Sequence, residues 1–156
     1  MEDFQHLLHP VTKVIAGSTF GKALEARLND NFPAGGALFK QIEQACHTAI
    51  SAGWMCTQGD EGRRFGRIIE PSPKTGGLSV DVVQLNNVTG PHHRHPSGEV
   101  CMIMPQDKLA TFDGHGAGWC VYSPGTAHFP TVRNGNALIL YLLPDGKIEF
   151  TGKTLK

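Results

Sequence analysis

Three of the chain's eight histidines fall within four positions, in the stretch GPHHRHPSGE from Gly90 to Glu99. His93 and His95 are two apart, so an extended strand presents both imidazoles on one face. Glu99 follows Pro96-Ser97-Gly98, a turn-forming triplet that brings the chain back toward that face. Two neutral imidazoles and a carboxylate converging on one point suit a borderline divalent ion such as Zn, Fe(II), Mn or Ni. A fourth ligand has to come from elsewhere, and His128 in SPGTAH is the best candidate. A His pair in a polar Gly/Pro loop is ordinarily solvated and inert. The carboxylate at this offset, and a further His after Pro124-Gly125, favour one metal ion held by His93, His95, Glu99 and His128.

The elements that must position these groups divide in two. Phe4, Leu7, Leu8, Val11, Val14 and Ile15 recur at three- and four-residue steps, a narrow helical stripe. Gly17-Ser18 breaks it, and Ser18 or Thr19 is the expected cap of a second helix carrying Phe20, Ala23, Leu24 and Leu28. Leu38, Phe39, Ile42, Ala45, Cys46, Ala49 and Ile50 mark a third, with Gly53 as its stop. Residues 1–52 are therefore expected to form a helical segment and 53–156 a β domain. Strands are expected at 65–69, 78–88, 100–104, 109–112, 119–122, 129–132 and 137–143. Pro144-Asp145-Gly146-Lys147 is expected to turn a hairpin into 148–150. About eight short strands between tight turns predict a small barrel or jelly roll. Three amphipathic helices must bury their stripes somewhere, and a homodimer with the helices packed on or swapped between barrels is expected.

Composition narrows the partners. The chain has 156 residues, with fourteen Lys plus Arg balanced by fourteen Asp plus Glu, so it carries no electrostatic footprint for nucleic acid or an anionic membrane. No apolar run approaches membrane-spanning length, and the N-terminal stretch is acidic, which predicts a cytoplasmic protein. Cys46, Cys56, Cys101 and Cys120 are scattered in apolar contexts and read as buried free thiols.

The two ligand stretches resemble the paired motifs of the cupin superfamily, G-x5-H-x-H-x3,4-E-x6-G and G-x5-P-x-G-x2-H-x3-N. His93-Arg94-His95-Pro96-Ser97-Gly98-Glu99 matches the heart of the first, and Gly118 with Pro124-Gly125-Thr126-Ala127-His128 most of the second. Asn87 and Gln106 stand in place of the flanking glycines, one residue is missing between Pro124 and Gly125, and Val132 replaces the terminal Asn. The wider string, from Gly53-Trp54 through VDVV, FDGHGAGW, PGTAHFPTV and LYLLPDGKIEF, resembles the small bacterial cupin family of 4-hydroxylaminobenzoate lyase over nearly the whole chain.

That resemblance implies a mainly β fold, a single cupin-type β-barrel with an N-terminal helical segment. It also implies a lyase of aromatic-compound catabolism, converting 4-hydroxylaminobenzoate to 3,4-dihydroxybenzoate with release of ammonia. Its cofactor would be one divalent transition metal, and its partner a small aromatic carboxylate. Glu99 would then act catalytically as well as holding the metal. His92 and His115 are acid/base candidates, or else solvated loop histidines. The carboxylate needs a cation, for which Arg67 and Arg133 are the candidates within a set that includes Arg63 and Arg64. Trp119 and Tyr122 would line an aromatic pocket, although core packing explains them equally well. A cupin dioxygenase using Fe(II) on an aromatic substrate and a non-catalytic small-molecule-binding cupin are the alternatives.

Overall fold

The computed structural model describes residues 2–154; Met1 and residues 155–156, included in the expected segment boundaries, lie outside it. Three helices come first: α1 (Glu2–Ile15), α2 (Lys22–Asn31) and α3 (Ala37–Ala52). Among the described residues eleven strands follow: β1 (Gln58–Asp60), β2 (Arg63–Ile69), β3 (Leu78–Asn86), β4 (His93–His95), β5 (Glu99–Pro105), β6 (Thr111–Phe112), β7 (Gly118–Tyr122), β8 (Thr126–His128), β9 (Val132–Arg133), β10 (Asn136–Pro144) and β11 (Glu149–Phe150). The large sheet runs β1-β2-β3-β10-β5-β7, a second β11-β4-β8, and β6 pairs with β9. All pairings are antiparallel. The result is the expected mainly β jelly roll, with three separate sheets rather than one closed ring of strands.

Strand alternation gives the large sheet two buried faces. Val100, Met102 and Met104 of β5, with Leu138, Leu140 and Leu142 of β10, point to the helices. There they meet Phe4, Leu8, Val11 and Ile15 of α1 and Phe39, Ile42, Cys46 and Ala49 of α3. Burying each such Leu stabilises the fold by roughly 1.5–3 kcal/mol. The helical stripes are thus covered by the chain's own sheet. Cys101, Ile103, Ile139 and Tyr141 point the other way, toward Phe112 and Val132 of the small strand pair. With both faces covered, β5 is apolar and buried almost throughout. The metal-ligand candidates lie on that second, inner side.

Helix α2 closes the free edge of β7. Asn29 donates from Nδ2 to the Trp119 carbonyl and accepts the Trp119 N–H on Oδ1, each at 2.9 Å, while Glu25 Oε1 accepts the Val121 N–H at 2.9 Å. These side chains satisfy backbone groups that an edge strand otherwise leaves unpaired.

Four expectations are corrected. Helix α2 starts at Lys22 with Gly21 in the cap position and no side-chain cap; Ser18 lies three residues before that cap and donates its hydroxyl to Val14 O at 2.7 Å, closing α1. The stretch 109–112 forms a strand only at Thr111–Phe112, and Leu109 is exposed. The stretch 129–132 is mostly a link between β8 and β9. The turn at 144–147 makes no hairpin, because the Asp145 N–H is bonded to Gly77 O at 2.8 Å and β11 crosses to pair with β4. The helix stop at Gly53 is as expected: φ is +84°, and the N–H groups of Gly53 and Trp54 return to Ile50 and Ala49.

Candidate metal centre

Register brings the donors together. On β4, His93 and His95 face inward with Arg94 between them turned out. Across the antiparallel pair, His93 lies opposite His128 and His95 opposite Thr126. The turn after β4 is closed by the Gly98 N–H on His95 O at 3.2 Å, and Gly125 donates to the same carbonyl at 2.7 Å, tying both ligand loops to one oxygen. Glu99 then opens β5 in the facing sheet. Gly98 has φ +90°, and a Cβ there would lie 2.7 Å from Phe20 Cδ2 and 2.9 Å from Tyr122 O. Only glycine lets the chain make this approach.

One ligand atom from each of His93, His95, Glu99 and His128 lies within 4.8 Å of all the others. His93 Nε2 and His128 Nε2 are 3.0 Å apart, and His95 Nε2 is 3.2 Å from Glu99 Oε1. His93 Nε2 stands 3.6 Å from Glu99 Oε2, and His128 Nε2 3.8 Å from Glu99 Oε1. Glu99 and His95 are completely buried.

The outer hydrogen bonds set the tautomers. His93 Nδ1 faces Pro91 O at 3.3 Å, and a carbonyl only accepts, so the proton is on Nδ1. His128 Nδ1 faces Asp113 Oδ2 at 2.6 Å, which assigns its proton in the same way. The Thr126 hydroxyl donates to Ser123 O at 2.6 Å, leaving its oxygen to accept from His95 Nδ1 at 3.2 Å. All three Nε2 atoms therefore turn a lone pair inward, toward one another and toward a buried carboxylate. His95 Nε2 and Glu99 Oε2 have no hydrogen-bond partner. Leaving such buried atoms unsatisfied costs about 1–3 kcal/mol each. A divalent cation satisfies the whole set, and three imidazoles with one carboxylate suit Fe, Mn, Zn or Ni.

The charges fit this arrangement. Burial pushes the Glu99 carboxyl up; when protons rather than a metal sit on the ring nitrogens facing it, hydrogen bonds and charge from His93 and His95 outweigh burial and bring the carboxyl down to about 2. The Cys101 thiol, raised well above its ordinary range by burial and by Glu99, stays protonated and donates to Glu99 Oε1 at 3.1 Å. Burial likewise raises Asp113, yet its bonds to His128 and Tyr122 hold it below the usual carboxylate range. Tyr122 donates to Asp113 Oδ2 at 2.6 Å, and the Thr131 N–H to Oδ1 at 2.9 Å. Asp113, Thr126 and Cys101 escaped the sequence reading. The one local sign was Asp113-Gly114, a turn pair, and Asp113 does adopt φ +50°.

The remaining candidates are dispersed. His92 bonds Thr151 Oγ1 at 2.6 Å and packs on the Phe129 ring, while His115 is exposed in its turn. Tyr122 faces inward, its ring tilted 4.6 Å from that of His128. Trp119 points to the opposite face, donating from Nε1 to Phe32 O at 2.8 Å and packing between Phe32 and Phe39. Arg67 is clamped by Asp81 at 2.8 and 3.3 Å and by Gly146 O at 3.0 Å. Arg133 bonds Thr89 Oγ1 and Val132 O. Asn87, standing where the first motif has glycine, adopts φ +46°, the left-handed region that Asn tolerates.

A cavity of about 330 Å³ opens between the sheets beside this centre, with His93 and Tyr141 on its inner wall. Its walls are largely apolar, with Arg63, Arg67 and Asp81 as the charged groups. No helix among the described residues is long and apolar enough to cross a membrane.

Comparison with known proteins finds relatives along most of the chain. Two relatives named 4-hydroxylaminobenzoate lyase are similar along nearly their whole length. The protein from Nocardioides sp. (strain LMS-CY) is 29 % identical over 150 residues, covering 90 % of this chain and 89 % of its own. That from Pseudomonas putida is 27 % identical over 153 residues, covering 87 % of each. Among solved structures, an acetylacetone dioxygenase from Acinetobacter johnsonii overlays with TM-score 0.45 and 15 % identity, over 62 % of this chain and 70 % of that one. The family model described as PnbB, 4-hydroxylaminobenzoate lyase, matches residues 6–150. That match takes in both larger sheets and all four donor residues, and the chain belongs to the 4-hydroxylaminobenzoate lyase family.

Proposed function

We propose that this protein is a metal-dependent lyase that converts 4-hydroxylaminobenzoate to 3,4-dihydroxybenzoate and ammonia. The observation that carries the reading is the convergence of three imidazole nitrogens on the fully buried Glu99 side chain, in a chain of that family. The stoichiometry balances without an oxidant: one substrate and one water give one diol and one ammonia.

His93, His95, Glu99 and His128 would hold a divalent ion, which when bound would supply Lewis-acid polarisation of an N–O group. The chain's own residues do the rest. Asp113, Thr126 and the Pro91 carbonyl hold the three imidazoles in the tautomer that leaves Nε2 free. Glu99 contributes the anionic charge that offsets a cation in a fully buried site. The neighbouring cavity, lined by Phe65, Val83, Ile148 and Phe150, offers apolar walls to an aromatic ring.

Incubating the metal-loaded protein with 4-hydroxylaminobenzoate under argon tests this. Equal amounts of ammonia and 3,4-dihydroxybenzoate are expected, at the rate seen in air. Product that requires oxygen, or none, would reject the lyase assignment.

A further inference from the structure

The cavity beside His93 holds two polar groups that the metal centre does not use. Tyr141 is 5 % exposed on β10, with its ring 6.4 Å from that of His93. Its hydroxyl makes no hydrogen bond among the described residues, and the side chain lines the cavity. A phenol buried to this extent normally has a partner, and here the cavity is where one would sit. Arg63 lines the same cavity. Its guanidinium lies over the Phe65 ring at 4.7 Å and forms no ion pair among the described residues. Arg67, the other cation on the wall, is already neutralised by Asp81.

The sheet register separates the two groups. Tyr141 is paired with Asp81, and Arg63 with Leu85, four residues further along β3. At about 3.3 Å per residue the two side chains enter the cavity from levels roughly 13 Å apart, before their own lengths close the gap. The wall between them is apolar, with Val83, Phe65 and Phe150 in it. A ligand that satisfies both ends has an anion at one end, a flat apolar body, and a hydrogen-bonding group at the other.

We propose that this cavity binds para-substituted aromatic carboxylates, with the carboxylate on Arg63 and the opposite polar group on the Tyr141 hydroxyl beside His93. The proposal rests on the lyase reading for its natural substrate, where the hydroxylamino oxygen would meet Tyr141. Its geometry stands on the two unpartnered side chains.

Binding of inert probes tests it separately from turnover. By calorimetry on the metal-loaded protein, 4-hydroxybenzoate should bind more tightly than either benzoate or phenol. Arg63→Gln should abolish the preference over phenol, a loss of about tenfold or more for a charge-assisted pair. Arg63→Lys should restore part of it. Tyr141→Phe should abolish the preference over benzoate and leave that over phenol intact. All three variants should keep native metal content and melting behaviour. If Arg63→Gln or Tyr141→Phe retains both native preferences, or the parent protein shows none, the assignment is overturned. If the probes behave as expected while 4-hydroxylaminobenzoate is not turned over, the lyase reading fails and the carboxylate site stands.

Discussion

His93 and His128 are directly opposed on β4 and β8, with their Nε2 atoms 3.0 Å apart. The bonds of His93 Nδ1 to Pro91 O and of His128 Nδ1 to Asp113 leave both facing nitrogens as acceptors. Two lone pairs at this distance repel unless positive charge lies between or beside them. The same register sets His95 against Thr126, so one strand pairing fixes two donors and the tautomer of a third ring. A slip of one residue would turn every one of these side chains to the other face.

Asp113→Asn is expected to weaken metal binding by about 10–100-fold. Asp113 accepts three hydrogen bonds, from His128, Tyr122 and the Thr131 N–H. An amide keeps the shape but must present its NH2 to one of these donors. Competition with a coloured chelator measures the affinity, and a native value would show that Asp113 does not orient His128.

Gly98→Ala is expected to lower both stability and metal content. The new methyl would meet the Tyr122 carbonyl at 2.9 Å and Phe20 at 2.7 Å, at φ +90°. Strain of this kind costs about 1–3 kcal/mol, or about 2–4 °C in melting temperature for each kcal/mol. Since Gly98 precedes Glu99, relief of the clash moves a ligand. A melting curve and a metal assay that both match the parent would refute this.

Metal-free protein should lose stability in acid in a way that depends on Glu99. Its carboxyl is lowered from 4.5 to about 2, so the folded state holds the charged form more strongly than the unfolded chain does. That stability is fully present above the ordinary value and is lost as pH falls through the folded one. The size is roughly 3 kcal/mol. Urea titrations between pH 5 and pH 2 should show this slope in the parent and not in Glu99→Gln. Parallel curves would contradict the assignment of the shift to Glu99.

The donors were legible because their spacing is short and periodic. His-x-His fits a strand, and a Pro-Ser-Gly turn returns the chain at Glu99. The helical stripes were equally clear, since each buries one face against the large sheet. Contacts set by distant pairing were not legible. Asp113 reaches His128 across fifteen residues and only through a left-handed turn. Tyr141 lies in an apolar run, LILYLL, and its role emerges only when β10 pairs with both β3 and β5. Trp119 and Tyr122 are three apart on one strand, so they could not share a pocket, and the structure puts them on opposite faces. Arg67 had the right charge, but its capture by Asp81 depends on the β2–β3 register.

Ammonia release from 4-hydroxylaminobenzoate, followed before chelation, after chelation and after re-addition of metal, tests the central claim most directly. The expected result is release that stops when the metal is removed and returns at one divalent ion per chain, with Glu99→Gln and His128→Ala failing to recover the parent rate. Undiminished release by protein shown by elemental analysis to hold no metal would contradict the metal-centred account.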